Sequence, residues 1–225
     1  MDTDAALATR LAGGLDRAFP ELVVAHQDRL YTIALRLLGD PRDAEEVAQD
    51  ALVRAYRAMA GYDRDRIAEL RLRPWLASIT VNLARNRRRR TEDRHPPAQL
   101  EPLLSDGFEL ADEADPGPAG RVTRRESAAA LAALLLELPP APRAAIVLRH
   151  IDGLSVAETA VALGRPEGTI KAQVARGLER LRGLVAEREK GGVENRPAAG
   201  LGGAGATRAD DNRTMQGRAL AAEVC

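Results

Sequence analysis

Arg165 to Arg182 carries five basic residues (Arg165, Lys171, Arg176, Arg180 and Arg182) against Glu167 and Glu179, a net of +3 on a stretch whose apolar spacing reads as one helix. Cations at that density meet phosphates, and Lys or Arg on a helix laid in the major groove also reaches base edges. The chemistry is recognition, not bond making. A preceding element must hold such a helix at the groove, and Leu154 to Gly164 supplies it. Ser155 is a helix cap with Glu158 three residues later closing a capping box, Val156, Ala160 and Leu163 face inward, and Gly164 ends the helix. The next helix begins near Glu167 after Pro166 and keeps Ile170, Val174, Leu178 and Leu181 on one side. Two helices and a tight turn with a basic second member form the pattern of a helix-turn-helix. A solvated basic surface on an ordinary helix pair has the same pattern.

A second cationic segment lies upstream. Arg71 to Arg94 holds eight arginines against Glu92 and Asp93. A helix beginning near Pro74 packs Leu76, Ile79 and Leu83 inward and leaves Asn82, Arg85, Asn86 and Arg89 on a common outer side, an amide-and-arginine face suited to phosphates and bases. Trp75 leads that helix, either as core or as a platform for an unpaired base. The loop before it offers Tyr62, Arg64 and Arg66 as exposed candidates. Further upstream, Pro20 to His26 and Asp28 to Leu38 read as two helices. Asp40 with Pro41 then starts a third, whose stripe is Val47, Ala51, Leu52, Ala55, Tyr56 and Met59. Asp43, Glu46, Gln49, Asp50 and Arg54 lie on its other side, where the early carboxylates also suit the positive end of the helix dipole.

Composition sets the class. Only 3% of the 225 residues are aromatic, while alanine, leucine and arginine dominate, which predicts an all-α protein with no strand. The formal net charge is zero, so distribution and not total charge points to a nucleic-acid partner. His95 to Gly120 has no Lys or Arg but six carboxylates and five prolines, the composition of a flexible linker. The expected organisation is an N-terminal extension (1–15), a helical domain (16–94), an acidic linker (95–126), a helix-turn-helix domain (127–188) and a disordered tail (189–225). The single Cys225 excludes an internal disulfide, and no Cys/His cluster has zinc-site spacing, so neither metal nor other cofactor is expected. With no phosphate-binding glycine loop or nucleophile constellation, an enzyme is not expected. The first residues lack a signal-peptide pattern and no apolar run is of membrane-spanning length, which predicts a cytoplasmic protein.

The linked motifs together resemble the sigma-70 family, in particular its extracytoplasmic-function type, which keeps only regions two and four. The matching segments are RLYTIALRLLGDPRDAEEVAQDALVRAYRA and RPWLASITVNLARNRRRR for region two, and LLLELPPAPRAAIVLRHIDGLSVAETAVALGRPEGTIKAQVARGLERLR for region four. The resemblance implies a factor that binds core RNA polymerase and directs it to −35/−10 promoters, where it promotes melting. It implies that Asp43, Glu46, Gln49 and Asp50 meet the clamp helices of the polymerase largest subunit. Tyr62, Arg64, Trp75, Asn82, Arg85, Asn86 and Arg89 then fall to the −10 element. Arg165, Thr169, Lys171 and Arg176 fall to the −35 element, with Arg149 a phosphate contact. The polymerase flap and an anti-sigma factor are further implied partners, and the acidic linker is expected to run toward the polymerase channels. A stand-alone helix-turn-helix regulator is the rival reading.

Several positions depart from the family pattern: Ala172, Gln173 and Ala175 replace a more polar, basic stretch. Thr159 stands in place of an aliphatic residue, which predicts a loosened first helix of the motif. Gly177 sits inside the recognition helix at a cost of about 1 kcal/mol relative to alanine. Asn86 replaces a commoner acidic residue.

Overall fold

The computed structural model describes residues 3–94 and 129–194; the acidic linker, the tail beyond residue 194 and Cys225 lie outside them, while residues 189–194, expected in the disordered tail, are helical. Nine helical segments and no strand occur among the described residues: α1 (Thr3–Gly13), α2 (Leu15–Leu38), α3 (Pro41–Ala60), α4 (Arg64–Ala68), α5 (Leu72–Arg94), α6 (129–136), α7 (Pro140–Ile146), α8 (Val156–Leu163) and α9 (Glu167–Glu194). A π-helical turn, Val147–Ile151, prolongs α7.

The first five helices surround one apolar core. Leu22, Leu30, Ile33 and Leu37 of α2 meet Val47, Ala51 and Met59 of α3 and Leu76 and Val81 of α5. The sequence predicts two helices where α2 is one. The buried positions 22, 26, 30, 33 and 37 form an unbroken helical stripe, and continuing it outweighs the backbone hydrogen bond that Pro20 cannot donate inside the helix. Gly39 then ends α2 in the left-handed conformation, at φ 81°.

The Asp40 cap forms as its sequence predicts, accepting from the Asp43 amide at 2.8 Å. Tyr56, expected in the buried stripe of α3, is instead exposed, edge-on to Phe19, with its hydroxyl donating to Asp16 at 2.6 Å. Two helices escape sequence analysis. α1 lies across α2 and α4 and buries Leu7 and Leu11, each contributing about 1.5–3 kcal/mol of apolar transfer. α4 is a single turn in the segment expected to be loop, capped by Asp63 and anchored by Ile67.

In the second part, Leu134, Leu135 and Leu138 pack with Ile146, Leu181 and Leu184. The Ser155–Glu158 capping box forms, and Gly164 closes α8 in the left-handed conformation. Thr159 does not loosen α8. It is fully buried and its hydroxyl donates to the Ser155 carbonyl at 2.8 Å. Gly177 also has a packing reason, because a Cβ there would lie 2.5 Å from Ile146 Cδ1 and 3.3 Å from Pro142 Cβ. α9 approaches α7 so closely there that a side chain would force Ile146 to shift.

The two parts are not separate beads. Ala144, Val147, Leu148, Leu154 and Ala162 belong to the same buried cluster as the helices of the first part, and α8 packs on α5.

Candidate nucleic-acid interface

Three surfaces carry the candidate residues. On α9, Lys171 and Arg176 are exposed, with Ile170 fully buried beneath them. The buried side fixes the helix and leaves its cations outward, as groove recognition requires. Arg165, in the turn, is exposed as well, while Thr169 is half-buried. Arg149 donates to the Leu154 carbonyl at 3.2 Å, which holds it beside the motif instead of in open solvent. An apolar groove of about 300 Å³ runs between Arg149, His150, Val156, Ile170 and Lys171.

On α5, Asn82, Arg85, Asn86 and Arg89 are all exposed, with Leu83 and Ala84 buried between them. Spacings of three and four place the exposed four on one side, as expected. Tyr62 and Trp75 come together at the foot of this helix with ring centroids 6.3 Å apart. Both are half-buried, so Trp75 packs on the core with part of its ring exposed. Arg64 is exposed in the first turn of α4. Arg66, offered with Tyr62 and Arg64 as an exposed candidate, stacks its guanidinium 3.8 Å over the Tyr62 ring. Backbone capping by Asp63 fixes Arg66 there, since the Arg66 amide donates to that carboxylate at 2.8 Å.

On α3, Glu46, Gln49 and Asp50 are exposed and Asp43 is half-buried. Arg87 of α5 donates to both oxygens of Glu46, at 2.7 and 2.6 Å, and to Asp43 at 2.8 Å. That hydrogen bonding holds the Glu46 carboxyl below its usual range and raises the Arg87 guanidinium above its own. Gln49 donates to Glu45 at 3.2 Å. The acidic patch is thus tied to the basic helix through Arg87, a link between residues over forty positions apart that local spacing does not reveal.

Known families match both parts in this order along the chain: Sigma-70 region 2 over residues 22–94 and Sigma-70, region 4 over residues 128–181. A relative, the ECF RNA polymerase sigma factor SigW of Bacillus subtilis, is 34% identical over 169 residues, 73% of this chain and 87% of SigW. The chain belongs to the sigma-70 family. Within it, similarity is to extracytoplasmic-function members: SigM of Mycobacterium tuberculosis is 35% identical over 80% of this sigma-family chain and 82% of SigM. SigE of Mycolicibacterium smegmatis is 35% identical over 76% of the chain and 62% of SigE. The solved structure of CnrH in complex with the cytosolic domain of CnrY superposes with a TM-score of 0.59 and 27% identity, covering 83% of this chain and 99% of CnrH. RpoE of Bartonella quintana, solved with the anti-sigma factor NepR, shares the fold at a TM-score of 0.56 and 22% identity over 75% of this chain and 96% of RpoE. The match to region 2 disfavours a stand-alone helix-turn-helix regulator, which would use region 4 alone.

Proposed function

We propose that this sigma factor binds core RNA polymerase, brings it to promoters with −35 and −10 elements and stabilises the melted −10 strand. The observation that carries the reading is the presence, in one chain, of an exposed acidic helix face, an exposed amide-and-arginine helix and a helix-turn-helix with outward cations. Asp43, Glu46, Gln49 and Asp50 would dock on the polymerase clamp helices. Tyr62, Arg64 and Trp75 would take unstacked bases while Asn82, Arg85, Asn86 and Arg89 track the strand; capture of the open strand lowers the free energy of melting without covalent chemistry. Arg165, Thr169, Lys171 and Arg176 would read the −35 duplex, with Arg149 on a phosphate. The chain acts here as an initiation factor and not as an enzyme, and its place is the cytoplasm; no described helix is long and apolar enough to cross a membrane. The structural neighbours solved with CnrY and NepR support a regulatory partner of the same kind for this chain.

The test is run-off transcription with core polymerase on pooled genomic promoter fragments, with and without the protein. New start sites that share spaced −35 and −10 elements are the expected result. Retained DNA binding without any new start overturns the reading.

A further inference from the structure

α4 is only five residues long, yet its backbone is well anchored. Ile67 is 5% exposed, α1 lies across the turn with Leu7 and Leu11 buried, and the Asp63 carboxylate accepts from the Arg66 amide. At the other end the Glu69 amide donates to the Asp65 carbonyl at 3.0 Å. Arg66 therefore projects from a fixed turn, and its guanidinium lies 3.8 Å over the Tyr62 ring. Arg71 and Arg87 take carboxylates, at 2.9 and 2.6 Å. Arg66 does not: among the described residues no carboxylate pairs with its guanidinium, although Asp63 and Asp65 are close in sequence. Its partner is the ring. Tyr62 in turn packs on the apolar core, 6.3 Å from Trp75 between centroids, with the two planes at 58°.

A guanidinium is planar and weakly hydrated, and it stacks on an aromatic ring much as a nucleobase does. Here it covers the surface that Tyr62 would offer to an unpaired base. A cation over an exposed ring is worth a factor of about two to five in equilibrium, whereas a base stacked on an aromatic side chain is worth roughly five to a hundred. The base therefore displaces the guanidinium. The freed cation is left beside a strand that carries a phosphate at every nucleotide. We infer that Arg66 is a positioning residue for strand capture: it occupies the Tyr62 ring as a stand-in for the base, and it moves to a phosphate when a base takes its place. The ring is covered before and after the exchange, so capture exposes no apolar surface on the way. The inference rests on the single-strand reading of Tyr62 and Trp75 above.

Trp75 is the chain's only tryptophan, so its emission reports on this site. The full-length protein is titrated over a range of salt with oligo-dA of about twelve nucleotides, and with an abasic strand of equal charge. The oligo-dA strand should change the Trp75 emission and the abasic strand should not. Arg66→Ala should flatten the plot of log binding constant against log salt by about 0.7, the contribution of one phosphate contact on a single strand. Because alanine leaves no cation to displace, its curve should also cross the unmodified one, with binding about twofold tighter at the high-salt end. Tyr62→Leu, on which neither partner stacks, should abolish that gain, so that adding Arg66→Ala to it only weakens binding; circular dichroism checks that each variant is folded. Parallel salt curves, or an Arg66→Ala curve below the unmodified one throughout, overturn the exchange. Equal responses to the two strands overturn the base-capture reading and the exchange with it, whereas a base-dependent response with parallel curves overturns the exchange alone.

Discussion

Arg87 holds Glu46 through two parallel hydrogen bonds of 2.7 and 2.6 Å, so the proposed DNA helix and the proposed polymerase helix share an ion pair. Bidentate geometry makes the contact directional, and its partial exposure makes it salt-sensitive. Arg87→Ala should lower the melting temperature measurably at low ionic strength, with the difference shrinking at high salt. Thermal denaturation at two salt concentrations checks it, and a salt-independent loss would mean that Arg87 matters for packing instead.

Asp50 has the exposure expected of a docking residue, and Lys171 and Arg176 face outward on another helix. Asp50→Ala should weaken core polymerase binding about tenfold and leave binding to a −35 duplex unchanged. Lys171→Ala or Arg176→Ala should do the reverse, costing about 1–3 kcal/mol in promoter binding for a base contact. Equal losses of both activities in all three variants would show misfolding.

Gly177→Ala separates helix propensity from packing. Propensity alone favours the alanine by about 1 kcal/mol. Ile146 is 2% exposed and cannot move aside freely, so the added methyl should overpack the contact and destabilise by about 1–3 kcal/mol. Chemical denaturation decides the sign, and a stabilised variant would refute the close approach.

His26 is 3% exposed, and burial pushes its pKa below 6.5, outweighing the pull of Asp4 in the opposite direction. The unfolded chain therefore takes up a proton that the folded one resists. Stability is fully present above pH 6.5 and is lost as the pH falls below it. His150 shifts the same way through burial and Arg149, but its side chain is more exposed. Melting temperatures from pH 7.5 to 5.5 should fall, and His26→Gln should flatten that slope more than His150→Gln does.

Where local rules decide an element, the sequence was readable. Asp40 before Pro41, Ser155 with Glu158 and the glycines at 39 and 164 all form the predicted boundaries, because caps and left-handed residues act over three or four positions. The outward faces of α5 and α9 follow from helical spacing in the same way. The misses are of another kind. α2 runs through Pro20 because a long stripe of buried residues outweighs one missing hydrogen bond. α4 is too short for an apolar period to show. Tyr56 fits the α3 stripe, yet Asp16 and Phe19, some forty residues earlier, draw it to the surface. Arg29 donates to Asp152 from 123 positions away, and nothing in either neighbourhood announces the other.

Glu158 divides its carboxylate between two tasks. Oε2 accepts from the Ser155 amide at 2.8 Å inside the capping box, and Oε1 accepts from Arg71 of the first part at 2.9 Å. Losing the second contact, as in Arg71→Ala, leaves the first intact, so it does not uncap α8. The α8 cap is therefore independent of the contact with α5: in Arg71→Ala the amides of Ser155 and Glu158 should keep their hydrogen-exchange protection.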